Sequence, residues 1–178
     1  MNSEIKQLIQ ALWTILPAYT ANGAPIIATK ITEIFGFKKH PIDGGRMFID
    51  GRRMFGDNKT WEGFIAGIIV GVLTSIIQTF FEASVSLYSY SIRGIALGFG
   101  AMVGDLLGAF IKRRLGLKPG APLPLIDQLS FLLVAIAISL KFINITFKQF
   151  IYVAVTTIVL HITTNYLAYK LGLKNVPW

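Results

Sequence analysis

Residues 92–114 read IRGIALGFGAMVGDLLGAFIKRR, an apolar run of about 20 residues that closes on three consecutive basic side chains. A helix of about 20 apolar residues spans the roughly 30 Å hydrocarbon core of a bilayer. Four comparable stretches cover approximately Ile5–Phe35, Gly63–Phe81, Leu125–Ile143 and Phe147–Tyr169. The pattern predicts an all-α, polytopic membrane helix bundle with about five transmembrane helices, built as a single integral membrane domain of residues 1–178.

Composition supports a membrane protein. The chain has 178 residues, of which 53% are hydrophobic and 15% charged, against about 25% charged in an ordinary soluble domain. The formal net charge is +8. In a membrane protein such an excess fits an anionic leaflet or a polyanionic substrate better than a nucleic acid, so no nucleic-acid partner is expected. The absence of cysteine excludes disulfides and thiolate metal sites.

Lysine and arginine are distributed unevenly between the two ends of the predicted bundle. The loops of about residues 36–62 and 112–126, together with Lys170 and Lys174, hold most of the basic residues. Basic residues near membrane spans favour the cytoplasmic side. We therefore expect a cell-membrane protein with an external N-terminus, and with both loops and the C-terminus in the cytoplasm.

The first stretch contains two prolines and a glycine near its middle, in the run Pro17-Ala-Tyr-Thr-Ala-Asn22-Gly23-Ala24-Pro25. A break in a helix at membrane depth is tolerated only where it faces protein or a wet cavity. The run predicts a first helix broken near Asn22-Gly23-Ala24-Pro25, with Asn22 as a side-chain donor in a polar chamber. A simple packing kink is equally compatible with the residues.

Glycines recur at every fourth position from Gly63 to Gly71 and again from Gly100 to Gly108. This spacing places them on one helix face and lets two backbones approach closely. The motif predicts tight helix packing, either inside the bundle or between subunits. A homodimer therefore remains an open alternative.

Asp105 lies inside an apolar stretch, where an unpaired carboxylate costs at least a few kcal/mol. Lys112 follows seven residues later on the same helix face, about 10 Å further along the axis. That distance is too long for a direct ion pair without bending, but it suits two groups that hold one assembly of phosphate and metal.

Asp127 opens the fourth stretch and is either a helix N-cap or a partner of Asp105. Two carboxylates completed by waters and substrate phosphates form a usual Mg²⁺ site. The sequence therefore predicts Mg²⁺ held by Asp105 and Asp127, and a catalytic set of Asp105, Asp127 and Lys112.

The first loop mixes glycine with acidic, basic and amide residues, a combination that can form anion-binding concavities. Asn58 or Thr60 is also placed to cap the second helix. A topology loop with glycine turns is the plainer interpretation, but it does not explain aspartates interleaved with arginines. The candidate substrate-binding residues are Asn22, Asp43, Arg46, Arg52, Arg53, Asp57, Asn58, Lys59, Thr60, Arg113 and Lys118.

Together these features indicate a polyphosphate handled with Mg²⁺ at the membrane face. Two other classes remain open. A small transporter or channel would also contain a broken helix and intramembrane charge, although it would not need a basic loop bracketed by carboxylates. A membrane scaffold would need only the glycine faces.

Two sets of motifs resemble a known enzyme superfamily. The run Gly104-Asp105-Leu106, Lys112-Arg113-Arg114, Lys118, Pro124 and Asp127-Gln128 is similar to the signature of CTP-dependent phosphatidate cytidylyltransferases. The runs 17–25, 41–46 and 55–63 look like the archaeal branch, the CDP-archaeol synthases. Ala109 and Gln128 depart from the bacterial pattern of serine and arginine, so the implied metal site rests on Asp105 and Asp127 alone.

The resemblance implies a particular reaction at the bilayer. CTP and an archaeal diether glycerol phosphate, 2,3-bis-O-geranylgeranyl-sn-glycerol 1-phosphate, would give a CDP-activated lipid and pyrophosphate. The implied partners are thus CTP and a membrane-embedded isoprenoid ether lipid phosphate, with Mg²⁺ as cofactor.

Overall fold

The computed structural model describes residues 2–82 and 85–177, which fold into five α-helices without an extended strand. The helices are α1 Ser3–Ile34, α2 Trp61–Gln78, α3 Leu87–Arg114, α4 Ile126–Ser139 and α5 Phe147–Lys170. The all-α prediction is confirmed, and the predicted stretches match the helices to within a few residues at most ends. One boundary differs, because Lys112, Arg113 and Arg114 form the last turn of α3 and the following loop begins at residue 115.

Length and composition make α2, α3 and α5 the membrane-spanning candidates of the described chain. The apolar α4 has 14 residues, so it is about 21 Å long and shorter than the hydrocarbon core. The 32-residue α1 is long enough but carries more polar side chains. The membrane character of the fold is confirmed, while a full crossing by α1 and α4 stays a prediction.

The centre of the bundle is α3, which packs between α2 and α4. Its Leu97 and Met102 are almost fully buried, together with Ile15 of α1 and Leu132 of α4. The tight contacts are made by the predicted glycines. A side chain at Gly71 would meet the backbone of Gly98, and one at Gly104 would meet the backbone of α4. Both glycine faces therefore pack against helices of the same chain, so the motif serves packing inside the bundle.

The expectation of a broken first helix is wrong, because α1 is continuous from Ser3 to Ile34 with both prolines inside it. Proline removes the hydrogen bond that would reach the carbonyl four residues earlier. For Pro17 that carbonyl belongs to Trp13, and the Gln78 side-chain amide of α2 donates to it at 2.6 Å. A neighbouring helix thus satisfies the backbone group that the proline leaves, and α1 continues.

Gln78 also anchors a buried cation at the end of the bundle away from the basic loops. Arg93 of α3 is 8% exposed and donates to the Gln78 side-chain oxygen at 2.6 Å. Its guanidinium lies 3.6 Å from the centre of the Tyr90 ring. Through Trp13, Gln78 and Arg93, this network joins α1, α2 and α3 where α2 ends and α3 begins.

Candidate functional site

The polar residues singled out in the sequence gather at the opposite end of the bundle. There α1 and α3 end, and α2 and α4 begin. Two loops cover this end: the first basic loop, residues 35–60, and the second basic loop, residues 115–125. The first loop is closed at its base by the bridge between Pro41 and Thr60. Thr60 also caps α2, since its hydroxyl accepts from the Gly63 amide at 3.2 Å, as the sequence suggested.

Asp43 organises the first basic loop. Its side chain has no exposed surface, and its carboxylate accepts from the Arg53 guanidinium at 2.7 Å. Burial by itself would raise the pKa of Asp43. The hydrogen bonds from Arg53 and from the Gly56, Phe55 and Gly45 amides outweigh burial and hold that pKa well below its usual range. Asp43 therefore holds the first basic loop together, and its predicted contact with substrate stays a prediction.

The first of two lysine–aspartate pairs joins the first loop to α3. The Lys59 ammonium lies 2.7 and 2.6 Å from the two carboxylate oxygens of Asp105. Each side chain keeps about a quarter to a third of its surface exposed, at 26% and 32%. Asn58 and Pro25 line the small cavity beside this pair. The carboxylate inside the apolar stretch therefore pairs with a cation, which is Lys59 from a segment 46 residues earlier.

The second pair joins the end of α3 to the start of α4. The Lys112 ammonium lies 2.8 and 3.0 Å from the two carboxylate oxygens of Asp127. Asp127 is not the N-cap of α4, which is Leu125 at a φ of +67°. Its carboxylate instead accepts from the Leu123 amide at 2.8 Å, inside the turn that leads into the helix. Asp127 thus ties the second basic loop to Lys112.

The packing of α3 on α4 brings the two pairs to the same level of the bundle. A Cβ atom at Gly108, one turn beyond Asp105, would lie 3.6 Å from the Ile126 side chain, next to Asp127. Across the described chain, no group of three or more acidic, histidine or cysteine side chains is placed to hold a metal. Two carboxylates fit Mg²⁺ when substrate phosphates and water complete its shell. Asp105 and Asp127 each bind a cationic group in this structure, the ammonium of a lysine.

A basic cavity of about 340 Å³ lies between the two loops. Its lining includes Arg52, Arg53, Arg113 and Lys118, with no acidic residue among them. The Arg113 side chain donates to the Lys118 carbonyl at 3.1 Å, but its Nε and Nη1 are buried and find no hydrogen-bond partner in the described chain. Because three arginines and a lysine line the cavity without an acidic residue, the cavity suits an anion with several oxygens.

The remaining predicted residues lie around these features. Asp57 is 74% exposed and pairs with Arg53 at 2.8 Å. Arg46 is an exposed residue of the first loop, and Asn22 lies half-buried in α1, about one turn before Pro25. Substrate contact by these three stays a prediction.

The sequence predictions do not include Asn165 near the end of α5, and they treat Lys174 only as a topology charge. Four-residue spacing from Thr157 through His161 to Asn165 was the one available signal, since it places three polar side chains on one face of an apolar helix.

The fold and the site define a class: a helical membrane protein with paired acidic and basic groups beneath two basic loops. Residues 4–178 match the family model described as CarS-like: CDP-archaeol synthase. The chain therefore belongs to the CDP-archaeol synthase family, as the motifs indicated.

Individual relatives agree with the family match. The chain is 42% identical over 176 residues to the CDP-archaeol synthase of Thermococcus gammatolerans, covering 98% of both chains. It is 40% identical over 183 residues to that of Archaeoglobus fulgidus, covering 96% of this chain and 98% of the relative. A solved structure, described as an intramembrane enzyme for archaeal membrane lipids biosynthesis, superposes with a TM-score of 0.78. It shares 33% identity over 89% of this chain and 94% of its own.

Proposed function

We propose that this protein transfers a cytidylyl group from CTP to 2,3-bis-O-geranylgeranyl-sn-glycerol 1-phosphate and releases CDP-archaeol and pyrophosphate. An oxygen of the lipid phosphate forms a bond to the α-phosphorus of CTP. The bond from that phosphorus to the oxygen bridging toward the β-phosphorus breaks, and pyrophosphate leaves with the electron pair. A phosphate monoester is largely dianionic near pH 7, so the nucleophile needs no strong general base.

One observation carries the proposal beyond family membership: two lysine–aspartate pairs and a basic cavity lie at the same end of the bundle. Each lysine occupies the place of a cation on its carboxylate. Asp105 and Asp127 would hold the metal of a magnesium nucleotide, and Lys59 and Lys112 would bind oxygens of its phosphates. Without substrate, each pair therefore carries no net charge.

Asp105 and Asp127 would hold the metal, whose chemistry is to neutralise phosphate charge and to polarise the α-phosphate as a Lewis acid. The side chains of the protein supply position and electrostatic complementarity, which dominate phosphoryl-transfer catalysis. Arg113 and Lys118, with Arg52 and Arg53, would hold the polyphosphate in the cavity between the loops. Charge-assisted contacts of this kind are about twice as strong as neutral ones.

The position of the site explains why the enzyme is a membrane protein. Both pairs lie near the helix ends, where they would reach a lipid phosphate whose isoprenoid chains stay in the bilayer. The excess of lysine and arginine in the two loops supports a cytoplasmic site, where CTP is found, and an external N-terminus. The transporter alternative depended on a broken first helix, and α1 is continuous.

The test is incorporation of α-labelled CTP into lipid by the purified full chain in vesicles, with and without Mg²⁺ and with CTP, dCTP, UTP and ATP compared. Asp105→Asn and Asp127→Asn should each lower incorporation at least about a thousandfold, because both metal binding and lysine pairing are lost.

Glu33→Gln is the matched control, because Glu33 also pairs with a lysine, Lys39 at 2.7 Å, but on the exposed end of α1. It should keep wild-type activity. If the wild-type chain incorporates no label, the proposed function is refuted. If Asp105→Asn stays fully active with its fold intact, the metal assignment is refuted.

A further inference from the structure

The last turn of α5 folds the chain back on itself. After Lys170 the backbone reverses at Gly172, which has a φ of +69°. The Gly172 and Leu173 amides donate to the carbonyls of Tyr169 and Ala168, at 3.0 and 2.9 Å. A left-handed glycine with such bonds is a common way for a helix to stop. The tail that follows therefore runs back along α5.

The reversal places Lys174 against a buried amide. The Lys174 ammonium donates to the Asn165 side-chain oxygen at 2.9 Å, and the Asn165 amide nitrogen lies 2.9 Å from His161 Nδ1. Asn165 is only 6% exposed. Both ends of its amide are engaged, so Asn165 fixes the position of Lys174 and is itself held by His161.

This polar row faces the inside of the bundle. Thr157, one turn before His161, is 1% exposed and shares a hydrogen bond of 2.6 Å with the Tyr19 hydroxyl of α1. Residues four apart lie on the same helix face. His161 and Asn165 therefore continue the face of α5 that packs on α1, toward the end of the bundle that carries the two lysine–aspartate pairs.

The charged groups of both lysine–aspartate pairs influence the pKa of Lys174. Burial lowers the pKa of Lys174, Asp127 and Asp105 act to raise it, and Lys112 and Lys59 act to lower it further. Salt screens partly buried charges less than exposed ones, so Lys174 interacts electrostatically with both pairs.

We propose that Lys174 is a third phosphate-binding lysine of the active site, carried there by the folded-back tail, and that Asn165 is its positioning residue. The inference rests on the proposed function, because the ligand is the phosphate chain of CTP or the phosphate of the lipid. The hydrogen bond to the Asn165 oxygen holds the Lys174 ammonium at this end of the bundle. With Lys59 from the first loop and Lys112 from α3, Lys174 surrounds the phosphates from a third side.

The experiment compares Lys174→Ala and Lys174→Arg with Lys170→Ala in the labelled-CTP assay. Lys170 is a matched control, since it lies four residues earlier on the same helix end and stacks over Tyr166 at 5.6 Å. Lys174→Ala should lower kcat/KM at least about tenfold, as expected for one lost contact to a charged group, and should lower the melting temperature only slightly, because the Asn165 oxygen loses one donor. Lys174→Arg should recover part of that loss, and Lys170→Ala should stay within twofold of wild type.

Separate KM values assign the phosphate. A rise in KM confined to CTP places Lys174 on the triphosphate, and a rise confined to the lipid places it on the lipid phosphate. Either result supports the inference. Asn165→Leu should raise the same KM by a smaller factor, because it removes only the positioning contact.

Failure of the inference is distinguishable from failure of the proposed function. If wild type incorporates label and Lys174→Ala keeps its kcat/KM within twofold, Lys174 does not bind phosphate. If Lys174→Ala and Lys174→Arg lose activity equally and both melt at a markedly lower temperature, Lys174 is a packing residue, and the inference is again overturned.

Discussion

Gly104 offers a quantitative test of how helix packing sets the active site. An alanine Cβ at this position would lie 2.6 Å from the Phe131 Cα atom and would also meet the Ser130 carbonyl oxygen. Both contacts are backbone atoms of α4, so no side chain can rotate away. Restoring an ordinary carbon–carbon distance of about 3.5 Å requires α4 to recede by about 1 Å.

The expected stability change is the sum of two opposing effects. Alanine in place of glycine inside a helix gains about 1 kcal/mol in propensity. Overpacking of a close contact costs about 1–3 kcal/mol, and the backbone contacts here place Gly104→Ala at the upper end. The net expectation is a loss of about 2 kcal/mol. Gly23→Ala is the matched control, because Gly23 is also helical and a Cβ there would meet nothing within 4 Å.

Gly23→Ala should therefore gain about 1 kcal/mol, which separates the two variants by about 3 kcal/mol, or about 6–12 °C in melting temperature in detergent. Gly104→Ala should also lose roughly a hundredfold in CTP incorporation, because a 1 Å shift of α4 displaces Asp127. If Gly104→Ala melts with or above Gly23→Ala and keeps its activity, the close approach of α3 and α4 does not position this site.

Three further changes test separate contacts. Gln78→Leu should lower the free energy of unfolding by about 3 kcal/mol, because Arg93 and the Trp13 carbonyl lose a buried partner; an unchanged melting curve would contradict this. Asp43→Asn should lower the melting temperature at pH 7. The depressed pKa of Asp43 stabilises the fold above the unfolded value near 3.9 and ceases to do so as pH falls through the folded value, so the gap to wild type should narrow below about pH 4; a constant gap would refute it. Lys59→Met should lower kcat/KM for CTP at least about tenfold in the labelling assay, and equal kinetics would confine Lys59 to a structural pair.

Much of the fold was available from local patterns. The number of helices and most of their ends followed from apolar runs near 20 residues. The sequence offered Asn58 or Thr60 as the cap of α2, and the structure has Thr60 in that position. The motifs around Asp105 and Asp127 gave the family. These features depend on residues close together in the chain, so spacing alone reports them.

The partners within the site were not predictable in the same way. Lys112 shares a helix face with Asp105 yet pairs with Asp127, while Asp105 takes Lys59. The two prolines suggested a break in α1, but a glutamine on α2 supplies the missing hydrogen bond.

Lys170 and Lys174 look alike as C-terminal charges, and only the reversal at Gly172 sends one of them back toward the site. The sequence by itself determined which segments are helical and which reactive and charged side chains the protein contains. The tertiary structure alone decided which groups meet, because the rotation and approach of helices 40 to 70 residues apart depend on the packing of all their faces at once.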